Sequence, residues 1–365
     1  MAHNILILPG DGIGQEVCKE VKKIIEWLNK YHNTKFTIEE DLIGGISVDN
    51  YGVPLSENTI SMAKQSDAIL LGSVGGPKWE NIARELRPER GLLGIRKALD
   101  LFANLRPAIT FKELVASSSL KSELVTNLDI MIIRELTSGI YFGEPRGIKT
   151  KNNQRVGINS LVYHDSEVIR VAKVAFDIAK KRQNSVCSVD KANVLEATEM
   201  WREEVQKLHD TDYQEINLNH MYVDNAAMQL VRNPKQFDVI LTTNMFGDIL
   251  SDIAAMLTGS LGMLPSASLG EMNNGKRHAL YEPVHGSAPD IAGKNLANPL
   301  ATILSFEMML RYSFNLNDLA DNLNLAVKNV LSKGYRTSDI ATSNSKKIST
   351  SEMGDHVINE LQNLA

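Results

Sequence analysis

Short apolar runs alternate along the chain with longer stretches in which apolar residues recur every three to four positions. The short runs predict buried strands at residues 5–8, 67–73, 129–133 and 237–243. The first run precedes a predicted helix whose apolar face carries Val17, Val21, Ile24, Ile25 and Leu28. Strands that alternate with amphipathic helices are typical of an α/β protein.

The segment SEVIRVAKVAFDIAKKRQN predicts a second amphipathic helix over residues 166–184. Acidic residues open it, and the basic residues from Lys180 to Arg182 would lie in its last turn, where they complement the helix dipole. We interpret this helix as architectural. No repeat, low-complexity tract or Pro/Ser-rich linker marks a domain boundary, so any boundary must fall in a short connection.

Composition narrows the class of protein. A length of 365 residues suggests about two domains. Cys18 and Cys187 cannot form a disulfide framework, and the segment MAHNILILPGDG lacks the features of a signal or membrane segment. A net charge of -5 argues against binding to nucleic acid or to an anionic membrane. We therefore expect a cytoplasmic protein with neither of those partners.

The connection after the first strand has the sequence GDGIG, with alternating glycines at Gly10, Gly12 and Gly14. The dinucleotide-binding fingerprint Gly-x-Gly-x-x-Gly needs its third glycine one position further on than a strict alternation gives. The spacing therefore excludes that fingerprint. Two interpretations stay open, namely tight backbone geometry alone and close approach to a ligand.

A chemically mixed helical face is predicted near residue 90. Glu89, Leu92, Leu93 and Arg96 have the spacing i, i+3, i+4 and i+7, which places them on one side of a helix that starts this early. An ordinary amphipathic helix would separate these residue types, whereas a pocket for a small molecule with a branched apolar group and a carboxylate would combine them.

Arg96 and two later arginines, Arg106 and Arg134, are well separated along the chain. Each guanidinium group can bind a carboxylate bidentately, so the three could hold an acidic substrate. The alternative for each is a solvated surface position or a structural ion pair.

Two aspartates on one predicted helix form a candidate metal site. Asp248 and Asp252 follow a predicted strand at the spacing i, i+4, which places both carboxylates on one helical face. Such a pair suits a hard divalent cation such as Mg²⁺ or Mn²⁺. The alternative is that both are acids near a helix N-terminus, favoured by the dipole. A third acid, Asp224, ends another strand-like run.

Two residues are candidates for proton transfer. Lys191 is predicted at a strand-to-helix junction, where α/β proteins commonly carry chemistry, although a surface lysine near a helix start is the alternative. Tyr141 lies between Gly139 and Gly143 and is either a proton donor or a packed aromatic residue with a satisfied hydroxyl.

A long loop punctuated by Gly, Pro and Ala is predicted over residues 281–304, leading into an apolar helix. Loops of this length in compact domains are usually functional, and the alternative is a self-contained Ω-loop. Small residues would let backbone amides approach a ligand, and Asp290 could accept hydrogen bonds from vicinal ribose hydroxyls.

These segments together resemble the β-decarboxylating dehydrogenases, the family of isocitrate and isopropylmalate dehydrogenases. The resemblance runs nearly end to end through GDGIG, GGPKW, GLLGIRKALDLFANLRP, RELTSGIYFGEPRG, SVDKANV, NMFGDILSD and EPVHGSAPDIAGKNLANP. It implies a two-domain α/β fold with mixed parallel and antiparallel sheets, not a Rossmann fold. It also implies a discontinuous cofactor-binding domain, residues 1–101 and 260–365, and a substrate, metal and dimerisation domain, residues 102–259.

The resemblance further implies roles for single residues. It assigns the substrate carboxylates to Arg96, Arg106 and Arg134, and the surroundings of the substrate's branch to Glu89, Leu92, Leu93 and Val194. It assigns the metal to Asp224, Asp248 and Asp252, of which Asp224 also contacts substrate. It assigns catalysis to the base Lys191 and the acid Tyr141. It places GDGIG near the nicotinamide, and assigns cofactor binding to Glu89, Gly76, Pro77, Lys78, Trp79, His285, Gly286, Ser287, Ala288, Pro289, Asp290, Ile291, Ala292, Gly293, Lys294, Asn295, Leu296, Ala297 and Asn298.

The activity implied by the resemblance is the oxidative decarboxylation of 3-isopropylmalate to 2-oxoisocaproate in leucine biosynthesis. Isocitrate dehydrogenases carry polar residues where this chain has Leu92 and Leu93. NADP-dependent relatives have lysine and tyrosine where this chain has Asp290 and Ile291, so NAD is implied, with Mg²⁺ or Mn²⁺. Lys191 and Asp224 are expected to serve the partner's site in a homodimer.

Two alternatives are weighed against this activity. A sister enzyme would act on isocitrate, homoisocitrate, tartrate or malate, and the paired leucines argue against it. A regulatory subunit without activity would have lost an aspartate or the lysine, and this chain has all of them.

Overall fold

A computed structural model describes residues 2–273 and 275–364 of the chain. Its strands are, in chain order, β1 (Ala2–Gly10), β2 (Lys35–Glu40), β3 (Ala68–Ser73), β4 (Ala103–Ile109), β5 (Asp129–Glu135), β6 (Gly147–Lys151), β7 (Gln154–Ile158), β8 (Ser185–Asp190), β9 (Asn217–Tyr222), β10 (Val239–Thr242), β11 (Pro265–Leu269), β12 (Ala279–Pro283), β13 (Tyr335–Arg336) and β14 (Lys346–Lys347).

The α-helices alternate with these strands over most of the chain. They are α1 (Gly14–Tyr31), α2 (Gly45–Tyr51), α3 (Glu57–Gln65), α4 (Glu89–Ala98), α5 (Ser122–Val125), α6 (Asp165–Ala179), α7 (Glu196–Asp212), α8 (Val223–Arg232), α9 (Asn244–Leu257), α10 (Leu300–Tyr312), α11 (Asn317–Ser332) and α12 (Thr350–Leu364).

The chain divides into two compact units. The first comprises Met1–Leu101, Phe111–Ser118 and Thr258–Ala365. Its main strands follow the order β2-β1-β3-β12-β11, in which only the β11–β12 pairing is antiparallel. Strand β1 is buried along most of its length because α1 packs its apolar face against this unit's sheet.

The second unit comprises Phe102–Thr110 and Ser119–Leu257. Its strand order is β4-β5-β10-β8-β9, in which β4 and β5 are antiparallel and the other neighbours are parallel. Strands β6 and β7 form a separate antiparallel hairpin. Since β5, β10, β8 and β9 run in one direction, their carboxyl ends lie along the same edge, and the residues that follow them come close together.

The α/β pattern and the four predicted strands are confirmed, with ends shifted by up to three residues. Strand β1 extends to Gly10 because its backbone continues in register with β3. The predicted helix over residues 166–184 is wrong at its end, since α6 stops at Ala179. Two of the basic residues beyond it bind acids outside the helix, Lys180 with Glu215 and Arg182 with Asp238.

Helix α10 is buried on all sides because it is enclosed within the first unit. Every residue from Leu300 to Leu310 is buried, and the helix packs against β11, β12, α1 and α11. Across residues 2–273 and 275–364, no helix combines the length and the apolar character needed to cross a membrane.

The GDGIG connection makes close backbone contacts within the first unit. Gly10 and Gly12 have positive φ angles of 67° and 56°. A β-carbon on Gly12 would lie 2.0 Å from the Ser287 carbonyl oxygen, and the next amide, that of Ile13, donates to the same oxygen at 2.9 Å. The glycines therefore satisfy tight geometry, one of the two interpretations left open by the sequence.

We expect Gly12→Ala to destabilise the protein more than Gly52→Ala does. Gly52 also has a positive φ, 75°, but no atom lies within 4 Å of its ideal β-carbon. Its substitution should cost about 1 kcal/mol through backbone strain alone, and Gly12→Ala about 1–3 kcal/mol more through overlap with Ser287. Urea unfolding followed by circular dichroism measures both. Equal losses would show that the Ser287 contact relaxes without cost.

Candidate active site

A buried carboxylate organises the loops around GDGIG. Asp11 is 3% exposed, and its side chain accepts backbone hydrogen bonds from Gly45, Ile46 and Gly75, each at 2.8 Å. Burial raises the pKa of Asp11, against the opposing effect of these hydrogen bonds. One side chain thus joins GDGIG to the start of α2 and to the loop after β3.

The loop after β3 carries the predicted cofactor residues Gly76, Pro77, Lys78 and Trp79. The Trp79 indole lies against Gly45, where a β-carbon would be 2.3 Å from the ring. Its Nε1 atom and the Lys78 ammonium group both donate to Asp49, at 3.2 Å and 2.6 Å. These contacts fix the loop to α2.

The second predicted cofactor segment runs from His285 to Asn298, and hydrogen bonds to two helices hold its C-terminal part. Glu16, in the first turn of α1, accepts hydrogen bonds from the amides of Gly293 and Asn295. At the start of α12, the amide of Thr350 donates to the Asn295 carbonyl, and its hydroxyl donates to that of Ala297. The segment is therefore an ordered loop without regular secondary structure.

Inside this loop, polar groups remain that the described residues do not satisfy. The Nε2 atom of His285 is buried without a hydrogen-bond partner among them. Asp290 is exposed, whereas the neighbouring Ile291 packs against the buried Ile13 and Val17. The predicted loop is wrong at its start, because Tyr281 to Pro283 complete β12.

Helix α4 begins at Glu89, so the predicted spacing of the mixed face is confirmed. Leu92 and Leu93 are half-buried, and Leu92 also packs against the core residues around Ile95. Arg96 is 7% exposed and binds the buried carboxylate of Glu282 at 2.5 Å. Arg96 therefore forms a structural ion pair, one of the alternatives left open by the sequence.

In the second unit, Arg106 from β4 and Arg134 from β5 meet the aspartates of α9. The Arg134 Nη1 atom donates to Asp248 Oδ1 at 2.5 Å, and Arg106 Nη1 lies 3.4 Å from the same oxygen. Arg106 is also 3.7 Å from Asp252. Arg134 can lie so close to α9 because position 247 is glycine, where a β-carbon would be 2.6 Å from the arginine Cγ.

Tyr141 belongs to the same cluster. Its hydroxyl donates to Asp248 Oδ2 at 2.9 Å. Burial, followed by the negative charge of Asp248, raises the pKa of Tyr141, so its phenol keeps its proton at neutral pH. The Arg146 guanidinium group donates to the Tyr141 carbonyl and fixes the backbone that carries the ring.

The dipole interpretation of Asp248 and Asp252 is wrong. Helix α9 starts at Asn244 and has no acidic residue in its first turn, so the aspartates lie in its second and third turns. Their partners are arginines rather than helix amides. The Asp252 side chain is 67% exposed, which leaves its oxygens accessible. Two carboxylates on one face are a donor set that fits a hard divalent cation.

Lys191 and Asp224 form a separate pair in the second unit. Lys191 follows β8 directly, and its Nζ atom donates to Asp224 Oδ1 at 2.6 Å. This hydrogen bond lowers the pKa of Asp224. Asp224 lies in the first turn of α8 and does not end a strand as expected. Nearby Val194 is 62% exposed.

The three predicted metal ligands do not converge within one chain. Asp248 and Asp252 share a face of α9, whereas Asp224 pairs with Lys191. No group of three or more His, Cys, Asp or Glu residues able to hold a metal occurs in the described part of the chain.

Comparisons with known proteins bear on this arrangement. The family model "Isocitrate/isopropylmalate dehydrogenase" matches residues 4–357. The chain belongs to this family. It is 59% identical to a 3-isopropylmalate dehydrogenase of Pelagibacter ubique, covering 99% of this chain and 98% of the relative. It is 60% identical to a protein of the same name from Paramagnetospirillum magneticum, with 100% and 99% covered.

Solved structures agree with the family assignment. An isocitrate dehydrogenase from Methylococcus capsulatus superimposes with a TM-score of 0.85 at 30% identity and 99% coverage of both chains. A β-decarboxylating dehydrogenase from Thermococcus kodakarensis gives 0.78 at 31% identity, covering 99% of this chain and 97% of that one. The expected isocitrate/isopropylmalate dehydrogenase fold with mixed sheets is confirmed, and the protein is an oxidoreductase of this family.

Several residues that were not predicted from the sequence support the candidate site residues of this dehydrogenase. Glu282 neutralises Arg96, and Asn244 accepts two hydrogen bonds from Arg134 through its Oδ1 atom, at 2.7 Å and 3.0 Å. Glu282 lies within the quoted EPVHGSAPD segment and Asn244 within NMFGDILSD. The signal available in the sequence was an acid or an amide inside a segment that also carries predicted site residues.

Glu135 is a further buried acid that sequence analysis missed. It is fully buried after Arg134, and its carboxylate accepts hydrogen bonds from the amides of Thr137 and Ser138 at 2.9 Å and 3.0 Å. Burial raises the pKa of Glu135 from 4.5 to about 7, although these hydrogen bonds act against the shift. The turn that leads to Tyr141 is therefore built on a carboxyl group that titrates near neutral pH.

We expect Glu135 to make stability depend on pH. Because its pKa is raised in the folded state, its contribution is fully present below pH 4.5 and is lost as the pH rises through about 7. The stability of the wild type minus that of Glu135→Gln should fall by about 1–3 kcal/mol between pH 5 and pH 8. Urea unfolding at both pH values measures this difference, and a constant difference would contradict the assignment.

Proposed function

We propose that the protein catalyses the NAD-dependent oxidative decarboxylation of 3-isopropylmalate to 2-oxoisocaproate and CO₂, a step of leucine biosynthesis. The observation that carries this proposal is the 59% identity, over 362 residues, to a relative named 3-isopropylmalate dehydrogenase. The choice among sister substrates is supported by α4, where two half-buried leucines precede Arg96 on one helical face.

The loop from His285 to Asn298 fits NAD. The buried Nε2 atom of His285 lacks a partner among the described residues, so it can bind a polar group of the adenosine. No atom lies within 4 Å of ideal β-carbons on Gly286 and Gly293, which leaves room for a ligand against the backbone. The exposed Asp290 carboxylate would accept ribose hydroxyls and repel the 2′-phosphate of NADP.

The carboxylates of α9 fit Mg²⁺ or Mn²⁺. Asp248 and Asp252 supply hard oxygen donors, and Asp224 of a second chain would complete the set. When bound, NAD would supply a hydride acceptor, and the divalent cation would supply a Lewis acid for the oxygens of the substrate.

The side chains of this protein supply binding and proton transfer. Arg96, Arg106 and Arg134 bind the substrate carboxylates with charge-assisted hydrogen bonds. Lys191 accepts the proton of the 2-hydroxyl as the hydride leaves C2. The bond to the β-carboxylate then breaks, CO₂ departs, and its electron pair stays on the substrate as an enolate. Tyr141 protonates the enolate carbon, a role that its retained proton supports.

We further propose a homodimer in which Lys191 and Asp224 serve the partner's site. Within one chain these two residues bind each other and not the α9 aspartates. Helices α8 and α9 pack together, and both leave large apolar side chains in solvent, such as Met228 at 59% exposure and Ile249 at 51%. A second copy of the chain would bury this surface.

The two unpaired, buried cysteines are compatible with a reducing cytoplasm.

The activity is tested with 3-isopropylmalate, isocitrate and malate, each with NAD or NADP and with or without Mg²⁺. We expect metal-dependent turnover of 3-isopropylmalate with NAD. Burial of its three branch carbons should favour it over malate by about 30- to 150-fold in kcat/KM. A preference for isocitrate would support a sister enzyme, and no turnover with any pair would support a regulatory subunit.

The substitution Leu93→Asn should remove part of this preference, and the double change Leu92→Ser with Leu93→Asn most of it. Reaction with malate should persist because the arginine and metal contacts stay intact. Leu93→Asn matters separately because Leu92 also packs in the core. Leu325→Ser, at a 43% exposed leucine of α11, controls for the replacement of a partly exposed leucine by a polar residue. An unchanged preference in the double variant would place recognition of the branch elsewhere.

Mixing two inactive variants tests the shared site. Subunits with Lys191→Met and subunits with Arg106→Ala should form mixed dimers in which one of the two sites carries neither lesion. An equal mixture should recover about one quarter of wild-type activity, since about half of the dimers are mixed. Arg106→Ala mixed with Asp248→Asn is the control, because both lesions belong to a chain's own site and no activity should return. No recovery in the first mixture, despite confirmed subunit exchange, would contradict the shared site.

A further inference from the structure

The ends of β8 and β9 place Lys191 and Asp224 side by side. The two parallel strands pair in register, with Asp190 opposite Tyr222 as the last pair. Lys191 follows Asp190 directly, and Asp224 comes two residues after Tyr222. The separation of the lysine from its aspartate therefore depends on how firmly these strand ends are joined.

Asp190, the residue before Lys191, is held in a bidentate ion pair. Its side chain is fully buried. Its two oxygens accept hydrogen bonds from the Nε and Nη2 atoms of Arg202, both at 2.9 Å. One oxygen also accepts the amide of Ala192 at 3.0 Å. Bidentate pairing of an arginine with a carboxylate restricts distance and orientation together. Both neighbours of Lys191 are thus held: Asp190 binds Arg202 of α7, and Ala192 binds the Asp190 carboxylate.

Arg202 also reaches the neighbouring strand. Its guanidinium carbon lies 4.9 Å from the centre of the Tyr222 ring, so one side chain of α7 contacts the last residues of both strands. A second residue of α7, Thr198, accepts a hydrogen bond from the Lys191 amide through its hydroxyl oxygen, at 3.3 Å. The Lys191 carbonyl in turn accepts the amides of Val194 and Leu195, both at 3.0 Å.

A similar arginine lies at the amino-terminal ends of the strands of this sheet and serves as a comparison. Arg182 binds Asp129 and the buried Asp238 at 2.9 Å and 2.7 Å, where β5 and β10 begin. Both arginines tie neighbouring parallel strands together through a buried aspartate. Only Arg202 does so at the end that carries a candidate catalytic group.

We propose that Asp190 and Arg202 are positioning residues that hold Lys191 and Asp224 in the geometry with which this pair serves the neighbouring subunit's site. The inference rests on the proposed function, in which Lys191 is the base and Asp224 a metal ligand. The Asp190–Arg202 pair contacts neither substrate nor cofactor. It acts by fixing the backbone from which both functional side chains extend.

The variants Arg202→Lys and Arg202→Met test this role against Arg182→Lys and Arg182→Met. Lysine keeps the charge but cannot form the bidentate pair, so Arg202→Lys should lower kcat about 10-fold and Arg202→Met about 100-fold. The KM for NAD should stay at its wild-type value, because the proposed cofactor loops belong to the first unit. The Arg182 variants should lower Tm without a change in kcat of the folded enzyme.

Mixed dimers show whether the defect of Arg202→Met acts through Lys191. An equal mixture with Arg106→Ala should recover about one quarter of wild-type activity, because one site receives an intact lysine and intact arginines. A mixture with Lys191→Met should recover nothing, because neither site receives a correctly held lysine. Recovery with Lys191→Met would overturn the proposal.

Two further outcomes are decisive. If Arg202→Lys folds and keeps the full wild-type kcat, the ion pair only stabilises the fold and the proposal is wrong, whatever the state of Arg202→Met. The mixture of Lys191→Met with Arg106→Ala separates this from a failure of the proposed function. Recovery of activity in that control mixture, together with no recovery when Arg202→Met is mixed with Arg106→Ala, would support the shared site and contradict the positioning role.

Discussion

Arg134 is a buried cation that the second unit has to neutralise. The residue is 3% exposed, and its guanidinium group is bound by the Asp248 carboxylate and the Asn244 side chain. Removing one partner of a buried ion pair leaves an uncompensated charge and costs about 3–5 kcal/mol. The glycine at position 247, the start of α9 after β10 and the hydrogen bond from Tyr141 to Asp248 all accommodate this pair.

The same interaction links the fold to chemistry. Asp248 lies beside both Arg106 and Arg134, so anionic and cationic side chains offset one another within this cluster. In the proposed function, a dicarboxylate substrate would add negative charge beside the arginines. A divalent cation would add positive charge beside the aspartates.

The first unit uses buried or half-buried carboxylates in another way, as acceptors for loop amides. Asp11 accepts three backbone hydrogen bonds, and Glu16 accepts two. Loops without ladder hydrogen bonds must satisfy their amides by other means, and a carboxylate can serve several at once. Both candidate cofactor segments are thereby fixed to the ends of regular elements, which leaves the backbone ordered before a ligand binds.

The family of this protein and part of its secondary structure follow from the sequence alone. Periods of two and of about 3.6 residues report local burial, so four strands and the faces of α1 and α4 were predictable. The segments that resemble the family also identified Arg134, Asp248 and Lys191 as candidates. Which groups meet depends on the tertiary structure: Arg96 binds Glu282, which is 186 residues away, and Arg134 binds Asp248, 114 residues away. Such contacts depend on strand order and on the direction of side chains in space, which periodicity along the chain does not encode.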